Sequence, residues 1–331
     1  MPGSILGTAV RRVEDPDLLV GRARFVDDLP IDGVLHLHFV RSSYAHARIV
    51  SIDADEAQAM PGVVAVFSAA DLGLPLYEGL MQLNAKVLRP PLAVDKVRFV
   101  GDAVAVVVAE TRAAAADAAE AVVVDYDALP AVTDPEAALA PDAPRQFEEL
   151  GSNLAAAIAP RDQGDVLEGA DVVVKARIEN QRIAVMPMEG SAVAVIPGDD
   201  GAGHDLTVYV STQMPHGFAG RVASGFDLDP GKLRVVAPHV GGAFGGKPGF
   251  APEHSVAVGV ALRLQRPVKW VETRSENLIS MPHGRGQVQY VQLGCKRDGT
   301  IVGMRCQIVG DACAYAGFGG ALAMGPTRMM A

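Results

Sequence analysis

The chain is short of cysteine, of long apolar runs and of positive charge, and each shortage narrows what it can be. Its three cysteines, Cys295, Cys306 and Cys313, form no CxxC pair and match neither an iron–sulfur pattern nor a zinc knuckle. Ordinary buried or strand-borne thiols are the expectation. No apolar stretch approaches the roughly 20 residues that a membrane-spanning helix needs. Met1-Pro2-Gly3-Ser4 lacks the basic start and continuous apolar core of a secretory signal, so the sequence reads as cytoplasmic. Asp and Glu outnumber Lys and Arg by 39 to 29, for a net charge of −10. That balance argues against nucleic acid as the main ligand, because phosphate binding needs concentrated cations.

What is present is enough apolar sequence, 49% of 331 residues, for two domains with real cores. Leu35, Leu37 and Phe39 alternate with His36 and His38 and predict a half-buried strand. The two histidines share a face, but no third metal ligand accompanies them, so they are expected to face solvent. A strand over 63–67 follows Pro61-Gly62, and the runs 97–100 and 103–108 around Gly101-Asp102 predict a hairpin. Thr111 caps a helix reaching about 121, and a strand follows over 122–126. Asp134-Pro135, Ala140-Pro141 and Ala143-Pro144 mark a linker over 133–153, dividing 1–132 from 154–331. Beyond it lie strands over 172–177, 192–196, 206–211 and 233–236, helices over 216–226 and 252–264, and strands beginning at 268, 287 and 301. Asp298-Gly299 joins the last two strands, and no internal repeat recurs at a fixed period.

Between strand 233–236 and the helix opened by Pro252 stands Val240-Gly241-Gly242-Ala243-Phe244-Gly245-Gly246-Lys247. Glycines allow positive φ and close approach of a bulky ligand, and successive N–H groups can form an anion nest. The loop is not a Walker motif, because Pro248 stands where Ser or Thr would bind magnesium, and it lacks GxGxxG spacing. A second segment, Ser211-Thr212-Gln213-Met214-Pro215-His216, brings an amide side chain to the end of a strand. Gln213 suits a hydrogen bond to an oxo group or a substrate oxygen. The alternative is that Ser211 or Thr212 caps the next helix and Gln213 is merely its first turn.

These segments form an ordered series. It opens with Arg12-Val13-Glu14-Asp15, Gly21-Arg22-Ala23-Arg24-Phe25-Val26-Asp27-Asp28 and Arg41-Ser42-Ser43-Tyr44-Ala45-His46-Ala47. Phe99-Val100-Gly101-Asp102-Ala103-Val104-Ala105 and Val124-Asp125-Tyr126-Asp127-Ala128-Leu129-Pro130 follow, then Pro187-Met188-Glu189, the Gln213 segment, the glycine loop and Arg266-Pro267-Val268-Lys269-Trp270. The series resembles the large subunit of the molybdenum hydroxylases, the xanthine dehydrogenase and aldehyde oxidase superfamily, in its aerobic carbon monoxide dehydrogenase-like branch.

The resemblance implies an α+β fold. An N-terminal α/β hammerhead-like domain (1–132) and the linker (133–153) would precede the first part of a mixed α/β molybdopterin-cofactor-binding domain (154–331), incomplete at its C-terminus. It implies a molybdopterin cofactor carrying molybdenum, often as the cytosine dinucleotide in bacterial members. By position, Gln213 looks like the glutamine that contacts an oxygen on the metal. Gly241, Gly242, Ala243, Phe244 and Gly245 would line the cofactor, their backbone N–H groups beside it and Phe244 near the substrate path. The family holds molybdenum through pterin sulfurs, so no metal-ligating side chain is expected. The resemblance further implies oxidation of a small carbonyl, N-heterocyclic or CO-like substrate with water as oxygen source. Electrons would pass to a small subunit with [2Fe–2S] clusters and a medium subunit with FAD, in a dimer of heterotrimers.

The family's large subunit is longer than this chain, and Thr327-Arg328-Met329-Met330-Ala331 looks like the middle of a family segment. The glutamate general base belongs to the missing C-terminal half, and neither Glu189 nor Glu253 matches it by motif. A non-catalytic fragment or interaction subunit retaining the fold is the alternative. Pro248 stands where purine-oxidising members carry glutamate, which argues against xanthine. Asp27 and Asp28 are read as turn or cap residues, residues 266–270 as a helix-to-strand junction, His283-Gly284-Arg285 as either a phosphate contact or a turn leading into a strand, and Tyr315-Ala316-Gly317-Phe318-Gly319-Gly320 as a flexible turn rather than a second cofactor loop.

Overall fold

The computed structural model describes residues 6–77, 83–158, 164–317 and 322. The expectations for Met1-Pro2-Gly3-Ser4, Phe318-Gly319-Gly320 and the last five residues lie outside them. Thirteen strands run in chain order as β1 Leu35–Arg41, β2 Ala47–Asp53, β3 Val63–Ser68, β4 Lys96–Val97, β5 Ala103–Ala109, β6 Val123–Ala128 and β7 Val172–Asn180, then β8 Ala192–Pro197, β9 Leu206–Val210, β10 Leu233–Val236, β11 Val268–Val271, β12 Gln287–Cys295 and β13 Ile301–Gly310. The helices are α1 Asp15–Leu19, α2 Asp55–Ala59, α3 Ala69–Leu72, α4 Arg112–Glu120, α5 Pro215–Gly225, α6 Pro252–Leu264 and α7 Arg274–Ser280. Among the described residues no helix is long and apolar enough to cross a membrane.

The main sheet has seven strands in the order β10-β9-β8-β11-β1-β5-β3. Its continuity depends on one parallel join, in which β1 meets β11 with Leu35 opposite Val268 and His36 opposite Lys269. One sheet thus draws on sequence from both sides of the expected linker. β5 is apolar throughout and buried throughout, as a strand covered on both faces must be. On one face its Val106 and Val108 join a core built from β1, β8, β9 and α6. On the other, Val107 packs with Ala57 of α2 and Ala118 of α4. The alternation in β1 places Leu35, Leu37 and Phe39 in the first core. His36 and His38 do not stand free in solvent: their face is half-buried beside α4. Burial, helped by the cations Arg112 and Lys269, lowers the pKa of His36.

The hairpin expected around Gly101-Asp102 is absent. β4 joins the small sheet β4-β2-β6, whereas β5 enters the large one. The cause is Asp102, which is buried rather than exposed at a turn. Its Oδ2 accepts from the Arg98 N–H and the Tyr315 hydroxyl, and Arg89 lies 3.5 Å from its other oxygen. The linker is likewise packed rather than loose. Phe147 is buried beneath the Arg98 guanidinium at 4.5 Å, Arg98 Nε donates to the Gln146 carbonyl, and Asn153 Nδ2 donates to the carbonyls of Ala138 and Pro144.

The third sheet, β13-β12-β7, is antiparallel and turns at Gly299 with φ 91°. Thr111 caps α4 by accepting from the Ala114 N–H, and Asp28 accepts from the Phe25 N–H in the turn assigned to it. All three cysteines are free, two of them on β12 and β13.

Candidate functional site

The end of β9, the turn before β8 and the glycine loop after β10 meet at one place. Ser211 and Thr212 are buried, and Thr212 Oγ1 accepts from the Met214 N–H in a short turn. α5 begins only at Pro215, with Met214 as its N-cap position, so Gln213 precedes the helix and is not its first turn. The Gln213 N–H donates to the Lys247 carbonyl at 3.0 Å. Its Oε1 accepts from the N–H groups of Gly245 at 3.0 Å and Lys247 at 3.3 Å. Two donors on one amide atom identify it as the oxygen. Nε2 is therefore turned the other way, and it donates to no described residue.

The loop's backbone explains its glycines. Gly242 has φ 95° and Gly245 φ 87°, both in left-handed territory. At Gly241 a Cβ would sit 2.6 Å from the Glu189 Cβ, and at Gly246 one would sit 2.8 Å from the Met281 sulfur. Phe244 adopts φ 49° and is 80% exposed, with its ring edge over Gly242. A large aromatic held in a strained conformation and left exposed is the pattern of a functional loop. The amides of Gly241 and Gly245 point inward, to Glu189 and Gln213. Those of Gly242, Ala243 and Phe244 have no hydrogen-bond partner among the described residues.

Beneath the loop lies a polar cluster that the sequence did not single out. Glu189 Oε2 accepts from the Ser211 hydroxyl at 2.7 Å, the Gly241 N–H at 2.7 Å and Lys247 Nζ at 3.2 Å. Lys247 Nζ also donates to Ser211 Oγ at 2.7 Å. Burial lowers the Lys247 pKa, and the neighbouring Glu189 pulls the other way. Arg274 fixes the same turn by donating to the Pro187 and Met188 carbonyls. The signal was present in part: Glu189, Ser211 and Lys247 each fall inside a quoted motif. Their convergence is a property of the fold alone.

A second buried group stands behind the first. His254 Nδ1 accepts from the Ala251 N–H at 3.0 Å, so its proton is on Nε2, 3.2 Å from Ser191 Oγ. Burial pushes the His254 pKa down from 6.5 to about 4. A depressed value means that the unfolded chain takes up a proton as pH falls through 6.5, whereas the folded chain resists it until about 4. Stability is therefore lost on acidification across that window, by about 3 kcal/mol in all. Urea denaturation of wild type and His254→Gln between about pH 7 and pH 4 checks this. The variant should show the shallower decline, and parallel curves would exonerate His254.

Among the described residues no group of three or more His, Cys, Asp or Glu is placed to hold a metal. A cleft of about 2440 Å³ opens elsewhere, between residues 131–158 and the β12–β13 hairpin. It includes Met281 but neither Gln213 nor any loop residue, so size does not mark the site.

The fold that carries this glycine-rich wall is that of a molybdopterin-binding class of protein. Residues 147–330 match the molybdopterin cofactor-binding domain, and residues 20–130 match the a/b hammerhead domain of aldehyde oxidase and xanthine dehydrogenase. The chain belongs to this xanthine dehydrogenase and aldehyde oxidase family of molybdenum large subunits. It is 38% identical to the carbon monoxide dehydrogenase large chain of Hydrogenophaga pseudoflava, covering 91% of this chain and 39% of that one. It is 30% identical to the nicotinate dehydrogenase large molybdopterin subunit of Eubacterium barkeri, covering 96% of this chain and 73% of that one. Among solved structures, CO dehydrogenase from Oligotropha carboxidovorans superposes with TM-score 0.83 at 37% identity, covering 91% of this chain and 39% of that one. Quinoline 2-oxidoreductase from Pseudomonas putida 86 does so with TM-score 0.83 at 35% identity, over the same 91% and 39%. The chain thus spans about 40% of the length of several of the relatives it matches.

Proposed function

We propose that this chain supplies the glycine-loop wall of the molybdopterin site in a molybdenum hydroxylase. The carrying observation is the donor character of that wall. Gln213 Nε2 and the amides of Gly242, Ala243 and Phe244 are without partners among the described residues, while Oε2 of the nearby Glu189 carboxylate is engaged beneath the loop and its Oε1 is buried without a partner there. Such a set fits a group rich in anionic oxygens. A bound molybdopterin would supply the redox chemistry, which no side chain here can supply. Gln213 holds the loop through Oε1, and its Nε2 would be free to donate a hydrogen bond to such a group. Phe244 offers an apolar edge for a flat or small substrate. The substrate class is a small carbonyl, N-heterocyclic or CO-like compound, the pterin a cytosine dinucleotide, and the compartment the cytoplasm.

The described residues include no match to the family's general base, and the rest of the site corresponds to the part of the longer relatives that this chain does not span. An iron–sulfur subunit and an FAD subunit complete the complex, in a dimer of heterotrimers. Residues 1–132 and 154–331 are its two sequence units, sewn together by the seven-stranded sheet.

The test is metal and pterin analysis of the chain purified with its co-expressed neighbours. Stoichiometric molybdenum is expected in wild type, falling at least about tenfold in Gln213→Ala and in Gly245→Val, which forces a branched side chain into a left-handed position. Circular dichroism confirms that the variants fold. Equal molybdenum in all three proteins would defeat the site assignment. Its absence from wild type would favour a non-catalytic fragment.

A further inference from the structure

We infer that Lys247 is a positioning residue that acts through Gln213, with Glu189 as its anchor. The inference rests on the reading of Gln213 as the donor to a cofactor oxygen. Lys247 touches both clusters. Its side chain, 2% exposed, is tied to Glu189 and Ser211. Its backbone N–H donates to Gln213 Oε1, and its carbonyl accepts from the Gln213 N–H. The ammonium and the amide are parts of one residue, so anchoring Nζ on a buried side chain restrains the backbone groups that turn the Gln213 side chain.

Glu189 fixes Nζ and does more. Its Oε2 also receives the Gly241 N–H, and its own N–H donates to the Gly241 carbonyl at 3.1 Å. One carboxylate therefore holds the first glycine of the loop and, through Lys247, the last residue. The loop between them is clamped at both ends. A buried ammonium is a costly filler, and packing alone would be served by an apolar side chain of similar volume. What the charge adds is direction: it draws the end of the loop onto Glu189 and presents two N–H groups to a single amide oxygen. Oε1 of Gln213 is thereby committed to the protein, and Nε2 is left facing away. Neither Glu189 nor Lys247 contributes a reacting atom.

Hydrogen exchange of the Gly245 and Lys247 amides, which both donate to Gln213, tests the inference on the full chain without any cofactor. Lys247→Met keeps the length of the side chain and removes the charge. Exchange at these two amides is expected to accelerate about tenfold, with the β9 and β10 amides unchanged. Adding Gln213→Ala to Lys247→Met should bring little further acceleration, because both substitutions remove the same bonds. Should Lys247→Met fail to fold with Glu189 left unpaired, Glu189→Leu combined with Lys247→Met removes both charges and gives the same readout. Unchanged protection in either folded variant, or multiplying effects with Gln213→Ala, overturns the inference. Molybdenum uptake by wild type is scored separately, so failure of the cofactor reading and failure of the clamp give different results.

Discussion

Replacing Arg41 with leucine should lower the free energy of unfolding by about 3–5 kcal/mol, the cost of leaving buried charges without their partner. Arg41 closes β1 and is only 6% exposed as a side chain. Its Nη1 lies 3.0 Å from Glu253 Oε1 and its Nε 3.1 Å from Glu276 Oε1, while Nη1 also donates to the Gly101 carbonyl. Glu253 stands in the first turn of α6, and Glu276 completes the capping box of α7 with Thr273. One guanidinium thus ties a strand of the first segment to two helices of the second. Burial works against both charges, yet the Arg41 pKa is raised by Glu253 and Glu276, and the Glu253 pKa is lowered by Arg41 and Arg89. Urea denaturation reads the loss. Arg41→Lys should recover only part of it, because a single ammonium cannot reproduce the fork that reaches both carboxylates. A leucine variant within about 1 kcal/mol of wild type would mean that the ion pairs are not what joins the segments.

Trp270→Ala should cost a similar amount, about 3–5 kcal/mol. Trp270 lies on β11 at 1% exposure, edge-on to Phe39 with ring centroids 5.4 Å apart and 6.0 Å from the His254 ring. Alanine would leave a cavity where the parallel join between β1 and β11 is backed by the core. Phenylalanine is the informative comparison. The indole Nε1 is buried with no partner among the described residues, so Trp270→Phe removes an unsatisfied donor while retaining a ring. Its loss should be less than half that of alanine, measured by thermal and urea unfolding. Equal losses would show that the indole N–H has a partner in solution, such as an ordered water.

Most elements were legible from periodicity and punctuation. The bounds of β10 and α6 coincide with the strand and helix that their apolar pattern and Pro252 announced. Gly101-Asp102 misled because its aspartate serves an internal carboxylate site, and a buried Asp102 has the same one-letter signature as a solvated turn. The histidine face of β1 misled for a related reason, since alternation reports which residues go to the main core but not whether a helix covers the other face. The site was legible as separate motifs. Glu189, Ser211 and Lys247 converge because β8 and β9 are neighbours and β10 lies beside β9, and strand order is not written in any local window.

The join between β1 and β11 also sets a timetable. β5, the antiparallel partner of β1, is made well before β11, since Leu37 pairs with Val108. Its opposite edge has nothing to pair with until β11 is made, since Leu35 waits for Val268. During synthesis from the N-terminus, an inner strand destined for the middle of a sheet is therefore an open edge for most of the chain's length. Closing so distant a contact is slow. Newly made chains should be most vulnerable to self-association before residue 268 emerges, and a chaperone that shields β1 would act in that interval.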